Sequence, residues 1–224
     1  MDKDGMLCHF VTKREPMLQG IARTVIDSAR RKHIVVFGDY ALDLYFEIDT
    51  TIASDIVSVE TGRPIPIARK GRFELGGAGN VAANIAAFSD AVVHAVGVIG
   101  DDRFGGILRD LLEEYEIDTA GLIDAEELDT SVYTKKIVDG EEAERWDIGS
   151  RQEPSTKTTQ RIRENLRAYT ETADVVVVNQ QVRDGVQRSR TFREELLRVL
   201  GAMKSKPVIV DSRDYAEEYR GCIR

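Results

Sequence analysis

The sequence is poor in cysteine, histidine, tryptophan and proline. Of its 224 residues, 2 are Cys, 3 are His, 5 are Pro and 1 is Trp. Cys8 and Cys222 lie near opposite ends and form no metal-like or redox-like pair, and His9, His33 and His94 form no cluster. A zinc site is therefore not expected. Membrane-length apolar runs are also missing, since a span needs about 20 consecutive apolar residues. The opening MDKDGMLCHF is too polar for a signal peptide, so the expected compartment is the cytoplasm. Positive charge is in deficit, with a formal net charge of -8. That argues against nucleic-acid and anionic-membrane partners, which need excess Lys and Arg. It leaves room for an anionic small molecule, which needs only a local positive site. Internal repeats and low-complexity tracts are absent as well.

What remains is an alternation of apolar strands and amphipathic helices. Residues 1–16 read as a polar tail, and 17–224 as one α/β domain. Met17 to Lys32 has helical spacing and gathers Arg30, Arg31 and Lys32 in its last turn, where cations suit the helix dipole. Continuous apolar runs at Ile34–Asp39, Val92–Ile99, Val175–Val178 and Val208–Val210 read as buried strands. Helical patterns lie between them at Gly79–Phe88, at Phe104–Tyr115, from about Lys157 to Tyr169 and from about Gln187 to Met203. The order implies a mostly parallel sheet covered by helices on both faces. Two β-rich segments break the rhythm: Leu44–Phe73, and a hairpin over Ser131–Ile148 turning at DGEE. Both are expected to leave the main sheet as a small β-layer.

The stretch GGAGNVAANIAAF, Gly76 to Phe88, poses the functional question. A P-loop needs Gly-Lys-Ser/Thr at its end, and here Gly79 is followed by Asn80. A dinucleotide fingerprint requires a preceding buried strand and an acid on the ribose. This loop follows a β-rich segment and has no such acid, so NAD binding by a dehydrogenase-type module is the third-ranked reading. Gly76, Gly77 and Gly79 allow close backbone approach, the helix start offers free N–H groups, and Asn80 can both donate and accept. That set suits a polyhydroxylated ligand; the alternative is a glycine turn with Asn80 as a helix cap. GDYALD, Gly38 to Asp43, follows the first strand, and ligands of open α/β sheets bind beyond strand carboxyl ends. Asp39 and Asp43 can accept hydrogen bonds from sugar hydroxyls there. Alternatively Asp39 caps a turn and Asp43 is solvated.

GDYALD, GGAGNVAANIAAF and VGVIGDDRFGGILRDLLEEYEIDTAGLI together resemble the ribokinase, or PfkB, family of carbohydrate kinases. Within it the chain is most similar to heptose-phosphate kinases, through GDYALD and PVIVDSRDYAEEYRG, and the resemblance runs from about Ile34 to the last residue. It implies a ribokinase-like α/β sandwich with a mostly parallel central sheet and a small β-lid built from 44–73 and 131–148. It also implies a sugar or sugar-phosphate substrate, ATP with Mg²⁺ in the complete enzyme, and a homodimer through the β-lid. By position, Asp43 matches the sugar-gripping aspartate, Gly76, Gly77 and Gly79 the substrate loop, and Asn80 its asparagine. Gly100, Asp101, Asp102 and Gly105 match a signature block whose turn also reads as a helix cap. Arg145, in RWDIG, resembles a lid arginine suited to a substrate phosphate, or it is solvated on a β-ribbon. Where heptose-phosphate kinases have Asp-Tyr-Gly-Lys-Gly, this chain has Asn179, Gln180 and Gln181, and Gln180 is placed at the ligand.

The family's Gly-Ala-Gly-Asp motif supplies the anion hole and the base for phosphoryl transfer. Here the only Gly-Ala-Gly is Gly77–Gly79, followed by Asn80. No catalytic residue is therefore assigned within this chain. It is expected to hold the sugar-binding part of a kinase truncated on its C-terminal side, with most of the nucleotide site absent. The alternative is a non-catalytic sugar-binding or dimerising remnant.

Overall fold

The computed structural model describes residues 20, 23–24, 27–51, 56–149, 153–183, 185–203 and 206–222. The expected tail lies outside these residues. Of the expected helix over 17–32, Gly20, Arg23, Thr24 and residues 27–32 are described; 20, 23, 24 and 27–29 are helical, while Arg30, Arg31 and Lys32, expected in its last turn, lie past its end.

The first strand is the axis of the fold. β1 (His33–Ile48) runs far beyond Asp39, the end expected from its apolar run. GDYALD therefore lies within the first strand rather than after it. The run is disguised because its burial becomes one-sided: Tyr40, Leu42 and Leu44 are buried, while Asp39, Asp43 and Tyr45 alternate with them and are only part-buried. The first half of β1 pairs in parallel with β3 (Val92–Gly100) and with β7 (Val175–Gln180). Beyond them lie β4 (Asp118–Ala125) and β8 (Val208–Ser212), giving a parallel sheet in the order β8-β7-β1-β3-β4. The second half of β1 pairs antiparallel with β2 (Ala68–Gly77) and parallel with β5 (Ser131–Val138). β6 (Glu141–Ile148) closes that second sheet in the order β2-β1-β5-β6. One strand thus belongs to both sheets and changes over at Asp39–Tyr40.

Helices α1 (Ala78–Phe88), α2 (Arg103–Glu114), α3 (Thr156–Thr172) and α4 (Arg190–Ala202) cover the parallel sheet. Ile34 and Val36 pack in one apolar cluster with Ala82, Leu108 and Leu112 of α1 and α2. Val35 and Phe37 pack in the other with Ile162, Leu166, Phe192 and Leu196 of α3 and α4. Burial on both faces explains the unbroken apolar runs, and each such side chain contributes about 1.5–3 kcal/mol relative to exposure. β4 has no such signal. DTAGLIDA carries a glycine and two acids, so it escapes a reading based on apolar runs. The GDD turn caps α2 as expected: Asp102 accepts from Gly105 N at 2.8 Å and also from Thr130 N at 2.7 Å, tying the helix to the start of β5. The hairpin turn is Asp139-Gly140 with φ of 50° and 85°, the left-handed pair that a two-residue hairpin requires. Among the described residues no helix is long and apolar enough to cross a membrane.

Candidate functional site

The change of sheet in β1 sets the site. Gly38 sits where β1 passes β7 most tightly: a Cβ there would lie 2.2 Å from the Asn179 carbonyl oxygen. Past this point Leu42 and Leu44 face the apolar cluster that includes α1 and α2, and the alternate residues face away from it. Register places Asp43 beside Glu74 and Tyr133, Tyr45 beside Arg72 and Lys135, and Lys135 beside Arg145. Paired residues share a face, so one face of the second sheet carries Asp43, Tyr45, Arg72, Tyr133, Lys135 and Arg145.

Asp43 is part-buried and bonded to Lys135 Nζ at 2.8 Å, with side-chain exposures of 20% and 15%. Lys135 also donates to Tyr45 Oη at 3.2 Å. Burial pulls the Lys135 ammonium down, but its bonds to Asp43 and Tyr45 more than reverse this and hold it above its ordinary value. Gly76 flanks the carboxylate: a Cβ there would stand 3.5 Å from Asp43 Oδ2. Gly77 follows as the N-cap of α1, with φ 53° and no side-chain cap bond. Its missing side chain leaves the first N–H groups of α1 without that partner. The structure thus brings Asp43 together with Gly76 and Gly77, more than 30 residues later in sequence. Gly79 is buried in the first turn of α1. Asn80, in the same turn, is exposed and accepts from Asn84 Nδ2 at its Oδ1 (3.0 Å) and backbone oxygen (2.8 Å); the cap is Gly77 instead.

Two expected ligand groups do other work. Asp39 Oδ2 accepts from Gln181 N and Val182 N, both at 2.8 Å, and so pins the loop after β7. Gln180 is fully buried: its amide nitrogen donates to Val182 O and Asp214 Oδ2, and its oxygen accepts from Ser212 Oγ and Asp214 N. Both ends of that amide are taken by bonds to Val182, Ser212 and Asp214, which hold β7 to β8 and the segment after it. Asn179, one residue earlier, reaches the glycine loop. It is buried, donates to Asp211 Oδ2 at 2.9 Å, and its Oδ1 has no hydrogen-bond partner among the described residues. That oxygen lies 3.9 Å from where a Gly77 Cβ would be. Arg145 is exposed on β6, bonded to both Asp147 oxygens at 2.8 and 3.1 Å, with its guanidinium 4.6 Å from the Tyr133 ring centroid.

Lys135, Tyr45 and Arg72 share this face with Asp43, and the sequence reading misses them. Alternation in SVYTKKIV puts Tyr133 and Lys135 on one face, but their opposite number is visible only once β1 is known to continue to Ile48.

Asp39 gives a pH signature. Burial pushes its carboxyl up to about 6 from 3.8, against the two N–H donors that lower it. The folded form therefore holds a proton that the unfolded form has released between these values. This contribution is fully present below about pH 4 and is lost as pH rises through about 6, a change on the order of 1–3 kcal/mol. Chemical denaturation of wild type and Asp39→Asn from pH 4 to 7 should show the wild type losing that much relative to the variant. A difference that stays constant with pH contradicts it.

Residues 31–224 match the model of the pfkB family carbohydrate kinases. The chain belongs to the PfkB family. It is 30% identical over 204 residues to a bifunctional protein HldE of Gluconobacter oxydans, covering 88% of this chain and 40% of that protein. It is 28% identical over 194 residues to a D-beta-D-heptose 7-phosphate kinase of Bordetella bronchiseptica, covering 85% and 57%. The chain thus spans 40% and 57% of the lengths of these two relatives. A ribokinase of Arabidopsis thaliana solved with ribose and ATP superposes with a TM-score of 0.53 at 17% identity, over 81% of this chain and 53% of that one. That likeness shows the ribokinase-like fold. Among the described residues no group of three or more His, Cys, Asp or Glu can hold a metal ion.

Proposed function

We propose that this chain carries the sugar-binding part of an ATP-dependent kinase acting on a sugar or sugar phosphate. One observation carries the reading: Asp43 and the Gly76–Gly77 loop meet at the junction of the two sheets, beside an uncapped helix start. The carboxylate accepts from hydroxyls, the helix N–H groups donate to them, and glycines leave room for the ring. Arg145 is a bidentate donor on the same face and suits a phosphate elsewhere on the substrate. Similarity to a heptose 7-phosphate kinase supports a sugar phosphate as substrate. Residues 44–73 and 131–148, which contribute to the second sheet, act as a lid over the sugar and as the surface through which two copies pair. The enzyme works in the cytoplasm.

ATP, with Mg²⁺, is the phosphate donor that the family implies. No residue described here is assigned to Mg²⁺. A second reading, a sugar-binding protein without catalysis, draws on one sequence observation. The sole Gly-Ala-Gly is followed by Asn80, so no Gly-Ala-Gly-Asp is present. A missing base costs about 10²–10⁴-fold and a missing oxyanion donor about 10²–10³-fold. Purified residues 1–224 should bind a heptose 7-phosphate in a thermal-shift titration yet transfer no phosphate from ATP above background. Turnover by the pure chain would show that the base lies within these residues; no shift with any sugar or sugar phosphate would remove the sugar reading.

A further inference from the structure

We infer that Lys135 is a specificity residue, and that the Asp43–Lys135 pair reads two neighbouring hydroxyls of a neutral part of the sugar. This rests on the sugar-binding reading above. The pair lies on the polar face of the second sheet, with both side chains mostly covered. A covered ion pair contributes little net stability, because desolvation offsets its Coulomb attraction. Folding alone therefore gives little reason for an ammonium at this position.

The geometry leaves each partner half used. Asp43 Oδ1 holds Lys135, while Oδ2 lies 3.5 Å from where a Gly76 Cβ would stand, so the missing side chain leaves it uncovered on that side. An ammonium has three N–H donors, and Asp43 and Tyr45 take two. A hydroxyl entering over Gly76 can donate to Oδ2 while its neighbour on the ring accepts from the third N–H of Lys135. A vicinal diol supplies that donor and acceptor side by side.

The charge pattern excludes the obvious competitor. Asp43 holds Lys135, Glu47 and Glu74 hold Arg72, and Asp147 holds Arg145. A phosphate at Lys135 would sit against the Asp43 carboxylate, a like-charge contact. A neutral diol inserts into the pair without that cost. The subsite therefore takes ring hydroxyls, and any phosphate on the substrate lies away from Asp43.

Calorimetric titrations of the full chain with D-ribose, D-mannose and a heptose 7-phosphate, each beside its single-deoxy analogues, test this. Lys135→Met should weaken binding of the preferred sugar about tenfold or more. It should leave unchanged the affinity for the one deoxy analogue that lacks the hydroxyl read by Lys135. Lys135→Arg should restore part of the loss, and inorganic phosphate should not compete with D-ribose or D-mannose. Melting curves identify a variant that fails to fold, and the Arg variant then carries the test by the same analogue pattern. Equal weakening for every analogue, or competition by phosphate against a neutral sugar, overturns the inference while leaving sugar binding intact. If no sugar binds the wild type, the sugar reading falls and this inference with it.

Discussion

Gly77→Ala should cost about 3 kcal/mol or more and lower the melting temperature by roughly 10 °C, making it one of the most damaging methyl additions in the chain. Two independent costs add. The backbone at Gly77 has φ 53° and ψ -129°, a combination outside the regions open to L side chains. A Cβ there would also lie 2.3 Å from the Asp39 carbonyl oxygen, which is backbone of β1 and cannot turn aside. Relief requires β1 and the start of α1 to separate, and that is the junction on which the proposed site stands. Gly106→Ala is the control. It lies inside α2, has nothing within 4 Å of its Cβ position, and should gain about 0.5–1 kcal/mol from helix propensity. Thermal melts of the two variants decide the matter. A Gly77→Ala protein melting within a degree or two of wild type would mean the loop is not locked against β1.

Asp43→Ala should weaken sugar binding roughly 10- to 100-fold or more and leave nucleotide affinity, measured without sugar, little changed. A hydrogen bond to a charged group contributes about 1.5–3 kcal/mol, and about 1.4 kcal/mol is tenfold. The variant also strands the Lys135 ammonium, whose carboxylate partner at 2.8 Å is gone. Asp43→Asn separates the two effects, since it keeps an acceptor oxygen and the side-chain shape while removing the charge. Both variants should fall in the same direction for sugar. Sugar affinity within twofold of wild type in Asp43→Ala would place the ligand elsewhere.

The parallel sheet was legible because its strands are buried on both faces. Ile34–Phe37 and Val175–Val178 are apolar at every position, and that pattern survives without knowledge of neighbours. The glycine loop was legible too, since steric demands at Gly77 leave few other residues. The second half of β1 was not. Its one-sided burial puts Asp39, Asp43 and Tyr45 between buried residues, which mimics a polar turn. With the first strand ended at Asp39, the register linking Asp43 to Lys135 could not be drawn. The roles of Asn179 and Gln180 were hidden for a related reason. Adjacent residues of a strand point to opposite faces, and only the packing of residues 211–214 against β7 decides which amide is consumed internally.

The most direct test of the account is a crystal structure of the chain soaked with a heptose 7-phosphate. The account predicts ring hydroxyls within hydrogen-bond distance of the Asp43 carboxylate and Lys135 Nζ, the ring against Gly76 and Gly77, and the phosphate turned away from Asp43. A phosphate seated on the Gly76–Asn80 loop, with Asp43 and Lys135 still bonded to each other alone, would contradict it.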